Sequence, residues 1–222
     1  MSTLARRFRG AGEPADSFVL TDSAQELSQI RDSETDVAIW RRRMDPAIQE
    51  ALDEFVADYP AFNIRGRFSR RSPDLSVFTT HFEQAGLVDL VEEQLEALID
   101  QFAALTDAPE FKARLELTDK QNCPKFHVDH VHLRLLSTLA GPGTEWVCRE
   151  DVREIRRHSS CRDHLHAPAH KVRWAERGDV VVLKGRLASP TRSRDDWSLH
   201  RSPQLKSGEA RLVFKLTAGH TR

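Results

Sequence analysis

The string Phe126-His127-Val128-Asp129 places an imidazole and a carboxylate two residues apart. Residues two apart project from the same face of a β-strand, so His127 and Asp129 could occupy adjacent positions on one metal ion. Such a pair is common in sequences and means little by itself. His200, seventy-one positions after Asp129, supplies a second imidazole. Two histidines and one carboxylate are the donor set that holds non-haem Fe(II) with positions left open for substrate and oxygen. Eleven residues later comes Arg211, opening the alternating run Arg211-Leu212-Val213-Phe214-Lys215-Leu216. There Leu212, Phe214 and Leu216 share one face, and Arg211, Val213 and Lys215 share the other. An apolar outer face and a basic inner face fit a barrel with a polar interior. The guanidinium fork of Arg211 suits a carboxylate held bidentately, such as the far end of a 2-oxo acid.

Other chemistry-bearing residues have plainer readings. Lys125 and Arg134 flank the His-x-Asp string and are first of all solvated charges, although either could neutralise an anion. His130 and His132 would project away from His127 and Asp129. Arg201 would point opposite to His200 and fits a surface ion pair. Gly141-Pro142-Gly143 reads as a turn, after which Thr144 could line a pocket and Trp146 belongs to the core. Cys148, His158, Cys161, His164, His166 and His170 lie within twenty-three residues. His166 and His170 would share a helix face, but the spacing is loose and no Cys-x-x-Cys pair is present, so the segment reads as a polar insert. No Gly-x-Ser-x-Gly elbow or phosphate-binding glycine loop appears, and Cys123 has no identifiable activating partner.

These residues need a framework. Asp45 and Pro46 form a helix start, followed by Ile48, Leu52, Phe55 and Val56 at helical spacing and closed by Pro60. A second helix fits His81 to Leu105, and Ser76 to Thr80 could be a short strand. The second half alternates: Arg114–Thr118, Lys125–Asp129, Leu133–Leu139, Asp179–Leu183 and Ala210–Leu216 are strand candidates with Pro- and Gly-bearing turns between them. The expected fold is α+β, with a double-stranded β-helix (jelly-roll, cupin-like) core in the C-terminal half, buttressed by N-terminal helices. Residues 1–15 read as a flexible arm. Residues 16–222 read as a single domain, with a helical layer over about 40–110 and a β-core over about 111–218.

Among the 222 residues, 33 Lys plus Arg against 34 Asp plus Glu give a net charge of −1, which argues against a nucleic-acid or anionic-membrane binder. The longest aliphatic run, Val180 to Leu183, is far short of the roughly 20 apolar residues of a membrane span. No secretory signal stands at the N-terminus, and three cysteines form no disulfide framework, so a cytoplasmic protein is expected.

The order His-x-Asp, long gap, His, then Arg resembles the Fe(II)- and 2-oxoglutarate-dependent dioxygenases over roughly residues 121–217. Gly178-Asp179-Val180-Val181-Val182-Leu183 is similar to the Gly-Asp strand that precedes the distal histidine in those enzymes. One departure is Val213, where that superfamily often has a Ser or Thr that gives the cosubstrate a second hydrogen bond. A closer resemblance, from about Trp40 to Leu216, is to a bacterial family catalogued as domain of unknown function 1826. It is carried by Phe126-His127-Val128-Asp129, Arg134-Leu135-Leu136-Ser137-Thr138, Gly141-Pro142-Gly143-Thr144-Glu145-Trp146, the strand from Gly178 to Gly185, and His200-Arg201-Ser202-Pro203. It implies that the helical first half and the β-half form one unit.

The expectation is a non-haem Fe(II) oxygenase in which His127, Asp129 and His200 bind the metal. Arg211 would anchor 2-oxoglutarate, and an unidentified small molecule or protein side chain would be oxidised. The alternatives are a jelly-roll protein that holds zinc without oxygen chemistry, and a metal-free scaffold. Substrate and oligomeric state are left open.

Overall fold

The computed structural model describes residues 17–69, 73–158, 165–193 and 196–218. In chain order the regular elements are β1 (Phe18–Thr21), β2 (Val37–Trp40), α1 (Pro46–Asp58), β3 (Phe62–Ser69), α2 (Ser76–Thr79) and α3 (Val88–Leu105). They continue with β4 (Glu110–Thr118), β5 (Leu133–Ala140), β6 (Glu145–Val147), α4 (Arg149–His158), β7 (Arg173–Trp174), β8 (Val180–Lys184), β9 (Leu199–Arg201) and β10 (Arg211–Ala218). The flexible arm expected over residues 1–15 lies outside the described residues.

Seven strands form one sheet in the order β1-β2-β8-β5-β10-β4-β3, and three form a second in the order β7-β6-β9. All pairings are antiparallel except β1 with β2. The outer face of the large sheet carries Leu115, Leu135, Val182, Leu212, Phe214 and Leu216, packed against Leu52 and Phe55 of α1 and Val91, Leu95, Leu98 and Phe102 of α3. Each fully buried Leu or Phe contributes roughly 1.5–3 kcal/mol. The inner face presents Val37, Ile39, Leu136, Val181 and Leu183 to Trp146 and Cys148 from the small-sheet side. The result is an α+β jelly roll with helices on the outside of the larger sheet.

Local chemistry explains the elements that position the site. Asp45 caps α1 by accepting from the Ala47 N–H at 2.8 Å, with Pro46 in the first turn. The turn between β5 and β6 depends on glycine. Gly141 has φ +77°, and a Cβ there would meet the Ala210 carbonyl oxygen at 2.2 Å; one on Gly143 would meet the Ala175 oxygen at 1.8 Å. This close approach brings Thr144 up to the start of β10.

Several expectations require correction. Ser76 to Thr80 is not a strand: Asp74 Oδ1 accepts from both the N–H and the hydroxyl of Ser76 and starts the turn of α2. Its burial does not alternate, since Phe78 and Thr79 are both buried. The helix expected from His81 begins only at Val88, because Gly86 takes φ +66° and breaks the path. The first half is less helical than expected, since β1, β2 and β3 form both edges of the large sheet. Lys125–Asp129 is not a regular strand; only His127 pairs, in a single antiparallel bridge to His200. The insert after Cys148 opens with α4, whereas His166 and His170 share no α-helix. Cys161 and His164 lie outside the described residues, as does the His158 side chain.

Candidate metal centre

His127 and His200 exchange both backbone hydrogen bonds at 3.0 Å, which puts their side chains on one face with ring centroids 4.4 Å apart. The chain then turns inward, bringing Asp129 Oδ2 within 3.2 Å of His200 Nε2 and Oδ1 within 3.7 Å of His127 Nε2. One ligand atom from each residue lies within 4.8 Å of the others, so the three could hold one metal ion. The turn is pinned by the Asp129 carbonyl, which accepts from the Arg186 N–H at 2.9 Å, while the neighbouring Gly185 leaves no room for a Cβ beside Val131 and Asp129.

The protonation pattern suits metal binding. His127 Nδ1 lies 2.9 Å from the Lys125 carbonyl oxygen. A carbonyl can only accept, so Nδ1 carries the proton and Nε2 is the nitrogen left to ligate a metal. Burial holds the His200 imidazole below its usual pKa and outweighs the pull of Asp129, keeping it neutral. Burial alone would raise the Asp129 carboxyl, but His200, Arg134 and His127 together hold it well below the carboxylate range. Arg134 binds Asp129 Oδ1 at 2.7 Å, while Oδ2 is buried without a hydrogen-bond partner. An ionised, buried carboxylate oxygen without a hydrogen bond beside two imidazole nitrogens is the arrangement a cation would complete.

A narrow cavity of about 40 Å³, the space of a few waters, runs from His127 and His200 to Thr144, Arg211 and Lys215. Arg211 is buried, and its Nη2 donates to Thr138 Oγ1 at 2.9 Å and to Thr144 Oγ1 at 2.8 Å. Its Nε has no partner, and among the described residues no carboxylate lies within ion-pair distance of it. Burial lowers its pKa to about 10, so it remains a cation near neutral pH. Lys215, also in the cavity, pairs with Glu116 at 3.1 Å, a carboxylate that Arg114 also binds and that pulls on Arg211 from beyond ion-pair distance, so one acid serves three cations and the cavity stays positive.

The structure therefore brings His127, His200 and Arg211 to one cavity, with Asp129 against both histidines and Val213 buried between Arg211 and Lys215 on β10. Arg134 is not a solvated charge but the partner of Asp129. His130 and His132 are exposed, and Arg201 pairs with Glu145 at 2.6 Å. The role of Thr138 as a support for Arg211 was not visible in the sequence. The glycine turn before Thr144 was the available signal for its neighbour.

The sequence profile described as "Protein of unknown function (DUF1826)" matches residues 21–217. No curated protein matches the chain. Among solved structures, the chain is similar to the rice dioxygenase for auxin oxidation at 14% identity, with 90% of this chain and 82% of that one covered and a TM-score of 0.48. It is similar to a full-length Neurospora crassa protein solved in complex with alpha-KG at 10% identity, 93% and 88% coverage and a TM-score of 0.43. A Pseudomonas putida prolyl-4-hydroxylase gives 10% identity, 88% and 97% coverage and a TM-score of 0.41. No helix among the described residues is long and apolar enough to cross a membrane.

Proposed function

The chain belongs to the DUF1826 family, and from the chemistry of its polar cavity we propose that it is a non-haem Fe(II) oxygenase using 2-oxoglutarate. The observation that carries the metal half is the convergence of the His127 and His200 imidazoles on the Asp129 carboxylate, one ligand atom from each within 4.8 Å of the others. His127, Asp129 and His200 would hold the ion through three positions, the number that leaves room for other ligands. Bound there, Fe(II) would supply the activation of oxygen.

The cosubstrate half rests on Arg211. A buried cation with no acid partner costs several kcal/mol unless an anion joins it. Thr138 and Thr144 fix Nη2 and leave Nε free, so the guanidinium is held in one orientation with an unused donor. Thr144 Oγ1 accepts from Arg211, and its own hydroxyl proton can be donated to a carboxylate. This hydroxyl would take the place of the one absent at Val213. Binding a five-carbon diacid would have to widen the narrow cavity, displacing the few waters it can hold. Trp146, Leu136 and Val181 form the dry wall around the interior, which strengthens every charge interaction there.

The test is oxygen-dependent conversion of 2-oxoglutarate to succinate by iron-loaded protein. Succinate formed by the wild type and lost in His127→Ala and Arg211→Met supports the reading. A protein that binds zinc, cannot exchange it for iron and forms no succinate would contradict it.

A further inference from the structure

A second concavity, of about 1200 Å³, opens beside the edges of the two sheets, between the chain after β2 and the β7 segment. It exceeds the usual size of a small-molecule site. Its lining includes five arginines against three carboxylates. Two of the arginines are fixed into the fold. Arg42 donates to the Gly178 carbonyl and Gln94, and Arg177 to Leu139, Gln49 and Asp53. Arg173 is held by Asp151 at 2.6 Å, with its guanidinium 5.2 Å from the Phe18 ring centre and 5.4 Å from that of Trp146. Arg41 and Arg43 are different: both are exposed, and neither side chain makes a hydrogen bond or ion pair among the described residues, Arg41 only pulling on Asp179 from a longer distance.

An independent observation concerns apolar surface. Only three large hydrophobic side chains among the described residues are strongly exposed, and two of them, Leu20 and Trp174, line this cleft. Trp174 is 65% exposed, and its indole N–H donates to Glu176 at 3.1 Å, which restrains the ring. Of the remaining carboxylates, Asp22 is exposed, and Asp179 accepts the Glu176 N–H and has a pKa pushed up to about 6 by burial. A flat exposed indole beside unpaired guanidinia suits a ligand with an aromatic or similarly flat apolar part and an anionic group.

We propose that this cleft binds a small organic anion bearing a flat apolar group. The overall charge of −1 favours a small molecule over a polyanion. Trp146, in the cleft wall, is the cross-strand partner of His200. The cleft thus comes within one strand pair of the candidate metal centre. As the seat of the molecule to be oxidised it rests on the oxygenase reading; as a binding site it does not, and the test is of binding.

Phenyl phosphate serves as the probe, titrated at low ionic strength into metal-free protein carrying nitrogen-15 in its tryptophans. The four tryptophans should give four indole N–H signals, assigned by single Trp→Phe variants. The expected result is a saturable shift of the Trp174 signal, with the Trp197 signal unmoved as a check that the fold is intact. The doubly substituted Arg41→Gln/Arg43→Gln protein should bind about fivefold or more weakly, and inorganic phosphate and benzyl alcohol should each bind more weakly than the probe. No saturable shift at Trp174 would overturn the proposal. So would equal binding by the Arg41→Gln/Arg43→Gln protein, or by either fragment of the probe. None of these outcomes touches the metal reading, which is judged by succinate.

Discussion

Two buried aspartate–arginine clusters lie in the same molecule, and they are built differently. Asp36 is saturated: Arg192 binds Oδ1 at 2.5 Å, while Oδ2 receives the Ser198 N–H at 3.0 Å and faces Arg149 Nε at 3.3 Å. Arg149 also reaches Glu34, and its backbone N–H is shared by Ser17 and Ser198. This cluster ties together the residue before β1, the chain before β2, the start of α4 and the segment before β9. Around Asp129 and Arg211 the arrangement is incomplete, with one carboxylate oxygen lacking a hydrogen bond and one guanidinium lacking an acid. Both clusters keep an orphaned guanidinium Nε, on Arg149 and on Arg211, but Arg149 has carboxylates within ion-pair distance, whereas Arg211 has none among the described residues. Arg211 also lines the cavity shared with His127 and His200, so a ligand entering it would meet that charge.

The largest expected effect breaks the saturated cluster. Asp36→Ala strands Arg149 and Arg192 and should cost about 3–5 kcal/mol of unfolding free energy, read by urea denaturation. Metal content per folded molecule should be unchanged. A loss of metal with stability intact would erase the distinction between the clusters.

Arg211→Met should move stability the other way. Removing a buried cation that has no ion-pair partner and filling its place with an apolar chain is expected to be neutral or to stabilise by roughly 1–3 kcal/mol. The same variant should lose 2-oxoglutarate binding, measured calorimetrically with zinc as an inert metal. Arg149→Met, by contrast, should destabilise. Equal losses for the two arginines would contradict the contrast.

Gly141→Ala tests how the incomplete cluster is assembled. At φ +77° with the Ala210 oxygen in the way, the side chain should cost about 1–3 kcal/mol. It should also weaken 2-oxoglutarate binding by moving Thr144 from Arg211. Thermal melts and calorimetry check both parts.

Asp179 is an intermediate case: buried, with a backbone N–H but no ion pair, and a pKa pushed up to about 6 by burial, against the opposing pull of the Glu176 N–H. Unfolded, an aspartate titrates near 3.9. Between these values the folded state holds more protons than the unfolded state, so this group lowers stability as pH rises through the window, and the cost is complete above about pH 6. Asp179→Asn should flatten the stability profile between about pH 4 and 6, a small effect read from melting temperatures. An unchanged profile would place the carboxylate in water.

Much of this was legible in the sequence where periodicity or spacing carried it. The alternation in Arg211–Leu216 separates the apolar face from the cavity face, and the His-x-Asp spacing brings two side chains together even though only His127 is paired as in a strand. Asp45-Pro46 marks the start of α1 because capping is local. What was hidden depends on distant partners. β1 and β2 are only four residues each and become strands by pairing with one another and, for β2, with β8. Arg134 resembles any surface arginine until Asp129 folds back onto it, and Thr138 supports Arg211 from seventy-three residues away. The break at Gly86 depends on a positive φ that helical spacing on either side conceals.

The central claim is that His127, Asp129 and His200 form a metal site completed by Fe(II). The most direct measurement is metal analysis after anaerobic loading with Fe(II) and desalting, comparing wild type, Asp129→Ala and Arg211→Met. The account predicts one iron per chain in wild type and Arg211→Met, and none in Asp129→Ala with its fold retained. Iron absent from the wild type, or retained equally by Asp129→Ala, would contradict it.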